Sequence, residues 1–246
     1  MTGKTKQLLR HTSSWLTRCL IALVAFTCML TTAQEIPGWE LVWQDEFNGT
    51  SIDTTKWSHE VNGDGGGNNE LQYYTARSQN SFIENGNLVI QALEENYGGR
   101  NYTSARLRTL NKGDWTYGRF EARMKLPYGQ GIWPAFWMLP TDWVYGGWAA
   151  SGEIDIMEIV GHEPNVLHGT IHYGGEWPNN TYSGGSYTLP SGDFSDDFHV
   201  FAIEWEEGEI RWYVDGIHYS TKNVWHSDAG PYPAPFNQRF HFLLNV

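Results

Sequence analysis

The chain has 246 residues, with 28 Asp and Glu against 16 Lys and Arg, and a formal net charge of −12. That balance excludes nucleic acid as a natural partner and disfavours heavily sulfated polysaccharides unless a local basic patch overrides it. Aromatic residues make up 15% of the chain, including 13 Trp, beside 27 Gly. Such a composition suits a large β core, or a surface that stacks on sugar rings.

In chain order, the first segment reads as an address. "MTGKTKQLLRHTSSWLTR" carries Lys4, Lys6, Arg10 and Arg18 with no acid, "CLIALVAFTCML" is apolar, and "TTA" offers small residues for cleavage after Ala33. This is the layout of a secretory signal peptide over residues 1–33. The apolar run falls short of the roughly 20 residues that span a bilayer; a retained signal anchor is the alternative. Both cysteines, Cys19 and Cys28, lie in this leader, so the mature chain, 34–246, must rely on its core rather than on disulfides. Losing the leader's four positive charges takes the net charge from −12 to −16. The expectation is a secreted protein, extracellular or periplasmic, free of the membrane after cleavage and monomeric.

Short strands follow, separated by turns. "ELVWQDEF" (40–47), "NLVIQALEE" (87–95) and "GRFEARMKL" (118–126) read as strands, and "HVFAIEWEEGEIRWYVDG" (199–216) as a hairpin about Glu207-Gly208. "NGDGGGNNE" (62–70) reads as a loop. Period-two alternation with Gly, Asn and Pro punctuation, and no helical period, predicts an all-β sandwich or barrel. Alternation also predicts three polar faces: Trp133, Ala135, Trp137 and Leu139; His168, Thr170 and His172; and His241, Leu243 and Asn245. A sheet face carrying Trp, His and Asn is a poor hydrophobic core and a good groove floor. Trp133 and Trp137 as core aromatics, and His168 and His172 as packed sheet residues, are the alternatives.

"SGEIDIMEIVG" (151–161) sets Glu153, Asp155 and Glu158 among Ile, Met and Val. Ionised carboxylates are rarely buried unpaired. Glu153 and Asp155 share a strand face, whereas Glu158 falls on the other face unless a β-bulge near Met157 returns it. With that bulge, inward-leaning side chains bring the two Glu carboxyl groups to about 5–5.5 Å, the separation of retaining glycosidases. Two like charges about 5.5 Å apart repel by roughly 3 kcal/mol at an effective dielectric of about 20, or about two pK units. One Glu can then stay protonated while the other is ionised. Asp155, shorter and between them, suits a proton-sharing partner. A solvated face of structural acids is the alternative. No metal-ligand spacing is seen, so no cofactor is expected for catalysis.

"GEIDIMEIVG" resembles the catalytic signature of glycoside hydrolase family 16, in its laminarinase (endo-1,3-β-glucanase) branch, where the extra residue forms the bulge. "LVWQDEFNGTSIDTTKW", "NNELQYYT", "YTSARLRT", "YGRFEARMKLP", "WPAFWMLP", "HGTIHYGG" and "FHFLLNV" also resemble the family, so the likeness covers residues 39–246. It implies a jelly-roll β-sandwich of the concanavalin A-like kind, with a substrate cleft on the concave sheet. Glu153 takes the position of the nucleophile, Glu158 that of the general acid/base, and Asp155 that of their assisting carboxylate. Asn69, Arg106, Trp133, Trp137, Trp148, His172 and Asn245 fall where similar enzymes line sugar subsites. Glu46 and the carbonyl of Gly86 match part of a structural calcium site. The implied activity is retaining, endo-acting hydrolysis of β-1,3-glucan. Mixed-linkage glucan or agar as substrate, and a non-catalytic β-glucan-binding protein, are the alternatives. The family pattern runs past "LLNV" into a Gly-rich segment and a further strand; the chain stops at Val246, so a continuation carrying the last calcium ligand is expected.

Overall fold

The computed structural model describes residues 36–246, and the predicted leader lies outside them. One compact unit runs from Leu41 to Val246. Its strands are β1 Ser58–Glu60, β2 Gln72–Tyr74, β3 Ser81–Glu84, β4 Asn87–Ile90, β5 Leu93–Tyr97 and β6 Arg100–Ser104. Then come β7 Arg106–Arg108, β8 Asp114–Trp115, β9 Gly118–Met124, β10 Ala135–Pro140, β11 Glu153–Glu158 and β12 Val166–Gly174. The last are β13 Asn180–Thr188, β14 His199–Glu206, β15 Glu209–Val214, β16 Ile217–Lys222 and β17 Phe240–Asn245. No helix occurs among the described residues.

The strands form a two-layer jelly roll. An eight-stranded sheet runs β1-β7-β17-β10-β11-β12-β13, with β8 also paired to β17, and a four-stranded sheet runs β16-β15-β14-β9. Between them lies an aromatic core in which Phe120, Phe136, Phe201, Trp205, Trp212, Phe240 and Phe242 are buried. Each such side chain contributes about 1.5–3 kcal/mol on leaving water. The pattern follows from alternation: in β15 Ile210, Trp212 and Val214 point inward while Glu209, Arg211 and Tyr213 stay half-buried. In β12, Leu167, Gly169 and Ile171 are buried, which turns His168, Thr170 and His172 to the opposite, outer face.

Two strand readings need correction. Glu40–Phe47 belongs to no strand, although Trp43, Asp45 and Phe47 are half-buried and Val42, Gln44 and Glu46 exposed. It has the alternation of a strand but no ladder partner among the described residues, and pairing, not pattern, makes a strand. Asn87–Glu95 is two strands: β4 pairs β3, and β5 pairs β6 in a separate sheet. The predicted hairpin about Glu207-Gly208 is present, joining β14 to β15.

Candidate active site

The bulge in β11 is the local event that builds the site. Against β10, Phe136 pairs with Met157 but Trp137 pairs with Asp155, so one residue of β11 is extra. Against β12 the register likewise shifts between Asp155 and Glu158. Glu153 then faces His172, Asp155 faces Thr170 and Glu158 faces His168. Since those three β12 residues share one face, so do the three acids. The carbonyl of Asp155, at the irregularity, accepts a 2.8 Å hydrogen bond from Trp212 Nε1 on the opposite sheet. Trp212 comes close because position 169 is Gly: a Cβ there would stand 2.4 Å from the indole.

Each Glu is held by an indole. Trp148 Nε1 donates to Glu153 Oε2 at 2.9 Å, and Trp133 Nε1 donates to Glu158 Oε1 at 3.0 Å. His172 Nε2 lies 3.7 Å from Glu153 Oε1 and 3.3 Å from Asp155 Oδ2. The shorter approach is not aligned as a hydrogen bond, and Asp155 Oδ2 has no hydrogen-bond partner among the described residues. Asp155 is only 2% exposed. Burial first, and then the Asp155 charge, push the Glu153 carboxyl well above the ordinary carboxylate range. Burial and Glu158 do the same for Asp155, and burial raises Glu158 although the Trp133 hydrogen bond pulls it down. The cluster as a whole therefore keeps a proton at pH values where free carboxylates have lost theirs.

The register extends the site sideways. Glu158 pairs with Ala135, Ala135 with Asn245, Asn245 with Arg106 and Arg106 with Glu60, a row across β11, β10, β17, β7 and β1. Trp137 Nε1 donates to Asn245 Oδ1 at 2.7 Å. Arg106 donates to Glu70 Oε1 at 3.1 Å and to Tyr74 Oη at 3.1 Å, and its guanidinium lies over the Tyr74 and Trp137 rings. Glu70 also accepts from Tyr74 and Gln72. Asn69, expected to line a sugar subsite, sits exposed in a turn at φ 57°, next to Glu70, which the sequence reading did not single out. The alternation of Glu70, Gln72 and Tyr74 was the available signal. His168 is half-buried on the groove face beside Glu158, on the polar face that alternation assigns it.

Glu46 lines a cavity of about 310 Å³ formed within Gln44–Lys56, whereas Gly86 lies at the tip of the β3–β4 turn and does not line it. The adjacent Asp45 is occupied by Trp57 Nε1 at 2.9 Å, with Lys56 Nζ 3.7 Å away. Donor atoms of Glu153, Asp155 and His172 lie within 4.8 Å of one another. Spacing along the chain gave no hint of this set, because His172 arrives from the neighbouring strand.

Known proteins resemble the chain in sequence and in fold. The chain is 46% identical over 235 residues to a glucan endo-1,3-beta-glucosidase A1 of Niallia circulans, covering 87% of this chain and 34% of the relative. It is 46% identical over 253 residues to a beta-glucanase of Rhodothermus marinus, covering 99% of this chain and 86% of that one. The chain thus spans about a third of the first relative's length and most of the second's. The crystal structure of the laminarinase from Rhodothermus marinus superposes with a TM-score of 0.77 at 48% identity, over 86% of each chain. The profile of the Glycosyl hydrolases family 16 matches residues 68–242, and these likenesses together establish that the chain belongs to that family.

Proposed function

We propose that the protein is an exported, retaining endo-β-glucanase that cleaves β-1,3-glucosidic bonds in laminarin-like glucans by double displacement. The observation that carries this reading is the β11 bulge, which sets Glu153 and Glu158 on one groove face with Asp155 between them. Glu153, ionised while Asp155 keeps the proton they share, attacks the anomeric carbon, and Glu158, protonated through burial, gives its proton to the leaving oxygen. Glu158, now ionised, takes a proton from water, and the resulting hydroxide displaces Glu153 from the glycosyl ester. Asp155 holds a proton against the two glutamates and orients Glu153. His172 stands at 3.3 Å from Asp155, close enough to bias that proton.

The roles separate in the products formed with azide and an aryl laminaribioside. Glu158→Ala should lower kcat on laminarin about 10²–10⁴-fold, and azide should give the β-glycosyl azide from the trapped ester. Glu153→Ala should be inactive on laminarin, and azide should restore turnover as the α-glycosyl azide. Undiminished laminarin hydrolysis by Glu153→Ala, or the same anomer from both variants, would overturn the assignment. Equal turnover of lichenan, a mixed-linkage glucan, and laminarin by the unaltered chain would overturn the β-1,3 preference.

A further inference from the structure

On the side of β11 away from Arg106, the groove floor continues over β12 and β13, and beyond His172 the mechanism above uses none of it. His172 pairs with Tyr182, Thr170 with Gly184 and His168 with Ser186, so the faces that meet the three acids extend one strand further. The rings of Trp148, His172 and Tyr182 form a stepped series, with centroids 5.5 Å and then 5.8 Å apart. Trp148 at its inner end holds Glu153, and Tyr182 at its outer end is 67% exposed. Beside Tyr182 lies a shallow cavity of about 270 Å³, lined by His168, Thr170, Tyr182, Gly184, Gly185 and Ser186. Its depth depends on Gly184, where a Cβ would stand 3.0 Å from both Thr170 Oγ1 and the Gly169 carbonyl.

We infer that Tyr182 is a stacking platform for a glucosyl unit on the leaving-group side of the scissile bond. This rests on the hydrolase reading and adds to it where the leaving sugar goes. The choice of side follows from how the two halves hold a ligand. The Arg106 half offers charged, fixed hydrogen-bonding groups. Such a half suits the sugar that stays attached through the covalent intermediate. The Tyr182 half offers an aromatic plane, a glycine floor and small hydroxyls. Stacking without directional bonds suits a product that must depart before water enters. The same platform then serves an incoming acceptor. Its hydroxyl oxygen attacks the anomeric carbon of the Glu153 ester, Glu158 takes the hydroxyl proton, and the bond to Glu153 breaks.

The test compares the full chain with Tyr182→Ala and Tyr182→Phe on two substrates. A nitrophenyl β-laminaribioside places no sugar on the leaving side, and laminaripentaose does. The readout is the ratio of kcat/KM for the pentasaccharide to that for the aryl glycoside. It should fall about 10-fold in Tyr182→Ala and less than about 2-fold in Tyr182→Phe, as loss of one stacking contact implies. Transfer to added laminaribiose, relative to hydrolysis, should fall in parallel. An unchanged ratio in Tyr182→Ala, or an equal loss on both substrates, would overturn the platform. Absence of activity on both substrates in the unaltered chain would instead sink the hydrolase reading beneath it.

Discussion

The two halves of the groove, on either side of β11, are built by opposite means. Toward β1, Arg106 is buried at 7% exposure and joined to Glu70, Tyr74 and Glu60. Toward β13, the floor is His172, Tyr182 and Gly184, with no ion pair between β12 and β13 among the described residues. The first half is part of what holds the fold together; the second is surface carried on a ladder. The lesson is that ligand-facing residues of one sheet need not share a role in stability. Removing a group from the closed half strands buried charges, while removing one from the open half uncovers little.

The largest effect should come from the closed half. Arg106→Met takes the cation from between two carboxylates, and breaking a buried pair in this way costs about 3–5 kcal/mol. For a domain of this size that is a fall in Tm of roughly 10 °C, measured by calorimetry at neutral pH. Tyr182→Ala removes an exposed side chain that makes no side-chain hydrogen bond among the described residues, and should move Tm by no more than about 2 °C. Equal shifts in the two variants would erase the distinction.

A smaller effect should come from the joint between the halves. Trp212→Phe preserves most of the core filling but removes the donor to the Asp155 carbonyl. Losing that hydrogen bond costs about 0.5–1.5 kcal/mol. Because the carbonyl sits at the bulge, the acids should lose alignment. We expect kcat to fall about 10-fold on the aryl glycoside and the pentasaccharide alike, a displacement effect of the kind that remote misplacement produces. A fall confined to the pentasaccharide would mean that Trp212 supports the β13 side rather than the acids.

Much of this was legible in the chain, for a physical reason: strand faces alternate with a fixed period. Glu153, Asp155 and Glu158 required only that period and one bulge, and His168, Thr170 and His172 followed from the alternation of β12. What was not legible depended on which strands pair. Glu40–Phe47 has a strand's pattern without a strand's partner. Glu70 was hidden behind a glycine-rich loop, and its importance appears only once β2 brings Tyr74 under Arg106. Trp212 is a core residue by pattern, and its bond to the bulge comes from sheet packing that no local period encodes. Tyr182 gained meaning only from its register opposite His172.

The finest test concerns the acid that stands between the halves. Burial, then Asp155, raises the Glu153 carboxyl well above its ordinary value in the folded protein, whereas the unfolded chain titrates near about 4.3. Below that value both states hold the proton and the site costs nothing. As pH rises through the interval up to the folded-state value, the folded protein retains a proton that the unfolded chain has released, so stability declines. Glu153→Gln fixes the uncharged form and can still accept from Trp148 Nε1. Its Tm should match that of the unaltered chain near pH 4 and exceed it increasingly as pH rises toward the folded-state value, by roughly 2–4 °C for each 1 kcal/mol recovered. The difference between the two chains cancels every other titrating group they share. A gap that is constant across that range would mean that the Glu153 carboxyl is solvated as freely as one on the protein's outer surface, and that the groove does not hold its proton.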